Sequence, residues 1–219
     1  MKPTLKMINT SHTVSRPPLR IGITGGIGSG KSYICRQLED AGHHVFYCDD
    51  VAKHIIRSHP IVKEELTQLV GKELYDAEGQ LVKKVLASFL CKGKEYSHQV
   101  DTIVHPRVAD AFKVFCQEHQ AETSSSSNLL MPSDKCISLQ SLKKLSPSHV
   151  VFMECALLFE AQFDKFVDLS VLVHVSSETQ INRLIQRDHI SREQAMRWIG
   201  LQLSENEKLT RADAYIVNE

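Results

Sequence analysis

Gly25-Gly26-Ile27-Gly28-Ser29-Gly30-Lys31-Ser32 carries the most chemistry in this sequence. Its spacing, G-x-x-x-x-G-K-[ST], puts glycines where a backbone must approach phosphate oxygens without a Cβ in the way. One ammonium and one hydroxyl follow. Successive N–H groups of such a loop cradle an anion, and a helix beginning near Lys31 adds the positive end of its dipole. The pattern therefore predicts nucleotide contact over Gly26, Ile27, Gly28, Ser29, Gly30, Lys31, Ser32 and Tyr33. Lys31 is expected to serve the β- and γ-phosphates catalytically, and Ser32 to be the metal ligand. ATP with Mg²⁺ is the expected pair. The loop by itself fixes no acceptor, and it does not separate a kinase from a nucleotide-hydrolysing switch.

A phosphotransferase also needs a group that orients or deprotonates the acceptor hydroxyl. Ligands of parallel α/β sheets gather at the carboxyl ends of the strands. Asp49 and Asp50 stand just beyond the second predicted strand. A helix N-cap would account for one of them, and Asp49 is favoured as the base.

The elements that position these groups follow from periodicity. Leu19 to Thr24 reads as a buried strand, Lys31 to about Asp40 as a helix with Ile34, Leu38 and Ala41 on its apolar stripe, and Val45 to Tyr47 as a second strand. Gly42 sits where a helix stop is expected. This strand–loop–helix–strand order starts a parallel α/β sheet. Asp49 to His119 reads as mostly helical, with one amphipathic helix opened by Pro106 and carrying Val108, Ala111, Phe112 and Phe115. Val150 to Met153 and Leu169 to Val175 have the apolar composition of strands buried on both faces. Ser177 with Gln180 and Ser191 with Gln194 fit capping boxes, and Tyr215 to Val217 reads as a last strand. Residues 1–18 read as a loose tail, and the serine-rich stretch 120–148 as a flexible surface insertion.

Composition sets limits. The chain has 219 residues, is 42% hydrophobic and carries no formal net charge. It can bury a core, and no overall basic field points to nucleic acid or a membrane surface. Its six cysteines form no C-x-x-C pair and lack zinc spacing. No apolar run is long enough to span a bilayer, and the first twenty residues lack a signal-peptide stretch. A cytoplasmic protein is expected.

Leu19 to Ser32 closely resembles the opening of the dephospho-CoA kinase family. Further landmarks resemble it in order: Val45 to Ala52, His105-Pro106, Leu157-Leu158-Phe159-Glu160, Gln186-Arg187-Asp188, and Ala212-Asp213 leading to Asn218. The resemblance runs from Leu19 to Asn218 outside the serine-rich stretch. It implies a P-loop NTPase fold: a three-layer α/β sandwich with a central parallel sheet, a helical acceptor-binding lobe and a helical lid. The implied division is one kinase domain over 19–219. Its core covers about 19–50, 149–176 and 206–219, the lobe 51–119 and the lid 177–205. The implied reaction transfers the ATP γ-phosphate to the ribose 3′-hydroxyl of dephospho-CoA. By the same resemblance Asp49 is the base, Arg187 is a lid arginine closing on the transferring phosphate, and Asn218 lies near adenine. His105, Leu157 and Leu158 then belong to the acceptor side.

The chain departs from the family pattern at Tyr47, where the first Asp of D-x-D is expected. It departs also at Tyr33, at Ala109 and at Ala156. Family members usually continue past Asn218 with another helix, so a truncated C-terminus is expected. Other acceptors, such as nucleoside monophosphates, shikimate or gluconate, would leave His105-Pro106, Leu157 to Glu160 and Asn218 unexplained together. A regulatory NTPase would need a guanine motif, and no N-K-x-D is present.

Overall fold

A computed structural model of the chain describes residues 17–119 and 132–219. The tail expected over 1–18 therefore lies outside the described residues except for Pro17 and Pro18. Five strands form one sheet: β1 (Leu19–Thr24), β2 (His44–Tyr47), β3 (Val150–Glu154), β4 (Leu169–His174) and β5 (Ala214–Val217). Their order is β2-β3-β1-β4-β5, and every pairing is parallel. All five residues of β3 are buried, as a strand covered on both faces requires. Alternate side chains divide between the faces. Val150 and Phe152 join one core cluster with Ile34 and Leu38 of α1 (Lys31–Glu39); Val151 and Met153 join another beneath a group of helices.

That group comprises α2 (Cys48–Ser58), α3 (Pro60–Val70), α4 (Lys83–Leu90) and α5 (Lys94–Glu118). The expectation that Pro106 opens its helix does not hold, because α5 begins twelve residues earlier and Pro106 lies inside it. A proline there removes one backbone donor from the ladder. Packing outweighs the loss: Val100, Val104, Val108, Phe112 and Cys116 recur every fourth residue and are all buried. The Arg107 guanidinium also donates to the Ile103 carbonyl at 3.1 Å.

The flexible insertion expected over 120–148 does not hold over 132–148. Here α6 (Leu139–Lys143) is capped by Ser138, and Ile137, Leu142 and Leu145 are buried against the α1 face of the sheet. Residues 120–131 lie outside the described ones. The C-terminal third adds α7 (Ser177–Asp188), α8 (Arg192–Ile199) and α9 (Glu205–Arg211). The cap of α7 is Ser176, not Ser177, and accepts from the Thr179 amide. Ser191 caps α8 as expected, and a reciprocal Ser204–Glu207 box opens α9.

Candidate active site

β1 lies at the switch point of the sheet, with β3 on one side and β4 on the other. This is where a crevice opens at the strand ends. The glycine-rich loop leaves β1 there and delivers Lys31 as the first residue of α1. Gly28 and Gly30 have φ of 81° and 90°, a region L side chains rarely adopt. A Cβ on Gly30 would also strike the Asn218 side-chain amide.

Asn218 and Arg183 brace the loop. Asn218 Nδ2 donates to the Ser29 carbonyl at 2.9 Å, and its backbone N–H donates to His174 O at 2.9 Å. Arg183 reaches both Ser29 O (3.3 Å) and Asn218 O (2.8 Å). Two glutamines hold the backbone of a single loop residue, Ile27. Gln202 Oε1 accepts from Ile27 N–H at 2.8 Å, and Gln180 Nε2 donates to Ile27 O at 2.6 Å.

Lys31 turns its ammonium onto the Gly25 carbonyl at 2.8 Å. Burial pulls its pKa down, while the nearby Glu154 and Asp49 carboxylates oppose that effect. Burial likewise raises Glu154, with Lys31 opposing. Each of these two groups thus offsets part of the cost of burying the other. Glu154 ends β3, and Asp49 sits in the first turn of α2, where the helix N-terminus favours an acid. Neither Asp49 nor Asp50 is the cap, since Tyr47 holds that position. The Tyr47 hydroxyl instead donates to Glu39 at 2.9 Å.

A cavity of about 880 Å³ gathers these groups, with Lys31, Ser32, Asp49, Glu154, Arg187 and Gln202 on its walls. Arg187 is largely exposed and pairs with Asp188 at 2.7 Å. A second cavity of about 510 Å³ lies between α5 and the segment after β3, lined by His105, Ala109, Lys113, Phe163 and Phe166. Leu157 lines both cavities. His105 lies 3.3 Å from Asp101 and edge-on to Phe163, and burial lowers its pKa against the pull of Asp101.

Leu158 does not belong with Leu157. It is fully buried, and its methyl carbons lie so close to Gly22 that a Cβ there would meet them at 3.1 Å. It packs the core beneath β1, and its assignment to the acceptor is corrected. Tyr33 also lines the larger cavity, at its exposed edge, and is 57% exposed. Glu154, Gln180 and Gln202 were not assigned as site residues from the sequence. Glu154 is legible as an acid ending a core strand; the glutamines meet the loop across more than 150 residues and leave no local signal.

Among the described residues no three His, Cys, Asp or Glu side chains cluster to hold a metal, and no helix is long and apolar enough to cross a membrane. The chain is 35% identical to a dephospho-CoA kinase of Bacteroides fragilis over 92% of its own length and 85% of the relative's. It is 32% identical to a Fusobacterium nucleatum dephospho-CoA kinase over 90% and 88%. Its fold is similar to a crystal structure of TT1252 from Thermus thermophilus, with a TM-score of 0.70, 27% identity and coverage of 93% and 90%. It is also similar to a dephospho-CoA kinase from Campylobacter jejuni, with a TM-score of 0.57, 22% identity and coverage of 91% and 87%. The family model described as dephospho-CoA kinase matches residues 19–132 and 113–219, so the chain belongs to the dephospho-CoA kinase family.

Proposed function

We propose that the larger cavity takes ATP, that the smaller one takes the body of dephospho-CoA, and that Asp49 is the base for the ribose 3′-hydroxyl. As a dephospho-CoA kinase the chain transfers the γ-phosphoryl of ATP to that hydroxyl, giving CoA and ADP in the last step of CoA synthesis. One observation carries the residue assignment: Lys31, Asp49, Glu154 and Arg187 come from α1, α2, β3 and α7 and face one cavity.

In this reading Lys31 leaves the Gly25 carbonyl for phosphate oxygens. Asp49 accepts the proton of the 3′-hydroxyl as the oxygen attacks in line. Arg187 exchanges Asp188 for the charge that develops on the transferred group. α7 and α8 form a lid over 177–205 that excludes water when it closes. α2 to α5 form the acceptor lobe, with His105 and Leu157 against the acceptor. Adenine is assigned to the Asn218 side of the loop.

The Ser32 hydroxyl and the Glu154 carboxylate suit a hard cation, which takes oxygen donors and completes its shell with waters and substrate phosphates. Mg²⁺ bound there supplies charge neutralisation at the phosphate oxygens. We place the protein in the cytoplasm, with small molecules rather than nucleic acid or membrane as its partners.

The test is ADP release from Mg²⁺-ATP with and without dephospho-CoA, with mass detection of CoA. Acceptor-dependent ADP matched by CoA is expected. ADP without acceptor, or no CoA from protein that binds ATP, would overturn the reading.

A further inference from the structure

Ile27 is part of the wall of the larger cavity, and its N–H is satisfied by the Gln202 side chain at 2.8 Å. An amide has one proton to give. A phosphate oxygen that takes this donor must therefore take the place of Gln202. The next residue, Leu203, is tied in the other direction: its N–H donates to Glu160 Oε1 at 3.0 Å. Glu160 lines the smaller cavity, and its second oxygen, Oε2, is buried with no hydrogen-bond partner among the described residues. Two consecutive residues, about 3.8 Å apart at Cα, thus grip the phosphate loop and a wall of the other cavity.

We infer that Glu160 and Gln202 are positioning residues through which dephospho-CoA prepares the phosphate loop for ATP. An acceptor that engages Glu160 shifts Leu203, draws Gln202 off the Ile27 N–H and frees that donor for a phosphate oxygen. The inference rests on the proposed reading of the smaller cavity as the acceptor site. Its signature is reciprocal, since a coupling between two binding sites acts equally in both directions.

The experiment is calorimetric titration of a non-hydrolysable ATP analogue, with and without saturating dephospho-CoA, on the full chain. The acceptor should tighten analogue binding by about fivefold or more, the lower end of common coupling strengths. Gln202→Ala should bind the analogue tightly without acceptor and gain little when it is added. A role confined to bracing the loop would instead weaken binding in this variant. Glu160→Ala should lose the gain, while Glu160→Gln keeps an oxygen for Leu203 N–H and should retain it. No gain in the unsubstituted chain would overturn the inference, as would Gln202→Ala that binds weakly or keeps the full gain. Thr102→Trp, on the wall of the smaller cavity, separates the two ideas. If it leaves dephospho-CoA affinity unchanged, the cavity assignment fails and the inference with it. If it weakens dephospho-CoA binding while Gln202→Ala keeps the gain, only the coupling fails.

Discussion

The Lys31 ammonium donates to the carbonyl of Gly25, 2.8 Å away in its own loop. The lysine is thereby held at the mouth of the loop, buried and already partly stripped of water. Moving to a phosphate oxygen exchanges a neutral acceptor for an anionic one, and charge-assisted bonds are the stronger kind. Lys31→Ala removes a preorganised cation from the developing charge. A loss of roughly 10²–10³ in kcat is expected, the scale for deleting one transition-state donor. Steady-state kinetics with saturating dephospho-CoA check it; a loss below tenfold would remove Lys31 from the transition state.

Asp49 is solvent-exposed in the first turn of α2, so its removal should leave the fold intact. Asp49→Asn keeps the shape and deletes the proton acceptor. kcat should fall by about 10²–10⁴, the usual worth of a general base, with an unchanged melting temperature. Near-normal kcat would transfer the role to another group on the cavity wall, with Glu154 the first to test.

Arg187 stands on α7, and its guanidinium pairs with the neighbouring Asp188. A residue that engages after lid closure contributes to the transition state more than to substrate binding. Arg187→Ala should therefore lower kcat by more than it raises KM for ATP. Equal kcat with a higher KM would mean ground-state binding only.

The parts of this site that were legible in the sequence are local ones. Gly25 to Ser32 announces its chemistry because spacing alone dictates backbone shape, and Leu19 to Thr24 reads as a strand because both of its faces are covered. Asp49 was legible through its position after a strand. Gln180 and Gln202 were not, because nothing near either residue marks it as a partner of Ile27. The continuity of α5 across Pro106 was hidden for a different reason. Pro106 resembles a helix opener, and the signal that outweighs it is the recurrence of Val100, Val104 and Val108 at every fourth position on either side of it. The serines of 124–127 likewise drew Leu142 and Leu145 into an apparent loop, although both are core residues.

Leu142 gives that last point a measurable form. It is fully buried between α1 and the sheet, with Ile34, Leu38 and Phe152 in the same cluster. Leu142→Ala removes buried methyl groups and leaves a cavity, a change that costs about 2–5 kcal/mol in well-packed cores. Urea denaturation should show a lower midpoint with an unchanged slope. A cost below about 0.5 kcal/mol, the range of surface substitutions, would return 132–148 to the status of a loop.

Histidines should set the pH dependence of stability on the mildly acidic side. His43 is 4% exposed and stands edge-on to Phe152 at 5.2 Å. Burial lowers its pKa, and also that of His44, whose ring is tilted against that of His119 with centroids 3.9 Å apart. Both stay neutral in the fold after the unfolded chain has begun to protonate near pH 6.5. The unfolded state then binds more protons, so stability is present above about pH 6.5 and is lost as pH falls below it. Asp168 acts in a lower window. Burial pushes its pKa up, but the Arg20 hydrogen bonds outweigh that and lower it. Its contribution is present above about pH 3.9 and is lost as pH falls through its depressed pKa. Glu154 works the other way, since burial raises its pKa and its proton is held more tightly in the fold than out of it. The Glu154 effect therefore offsets part of the loss on acidification, at and above the ordinary glutamate range. Thermal melts from pH 8 to pH 5 should show the melting temperature falling below about pH 6.5. His43→Leu should flatten that fall, because it deletes the least exposed imidazole among the described residues while keeping an apolar contact for Phe152. Parallel curves for the two proteins would clear His43 of the effect and leave His44 and His105 as the groups to replace next.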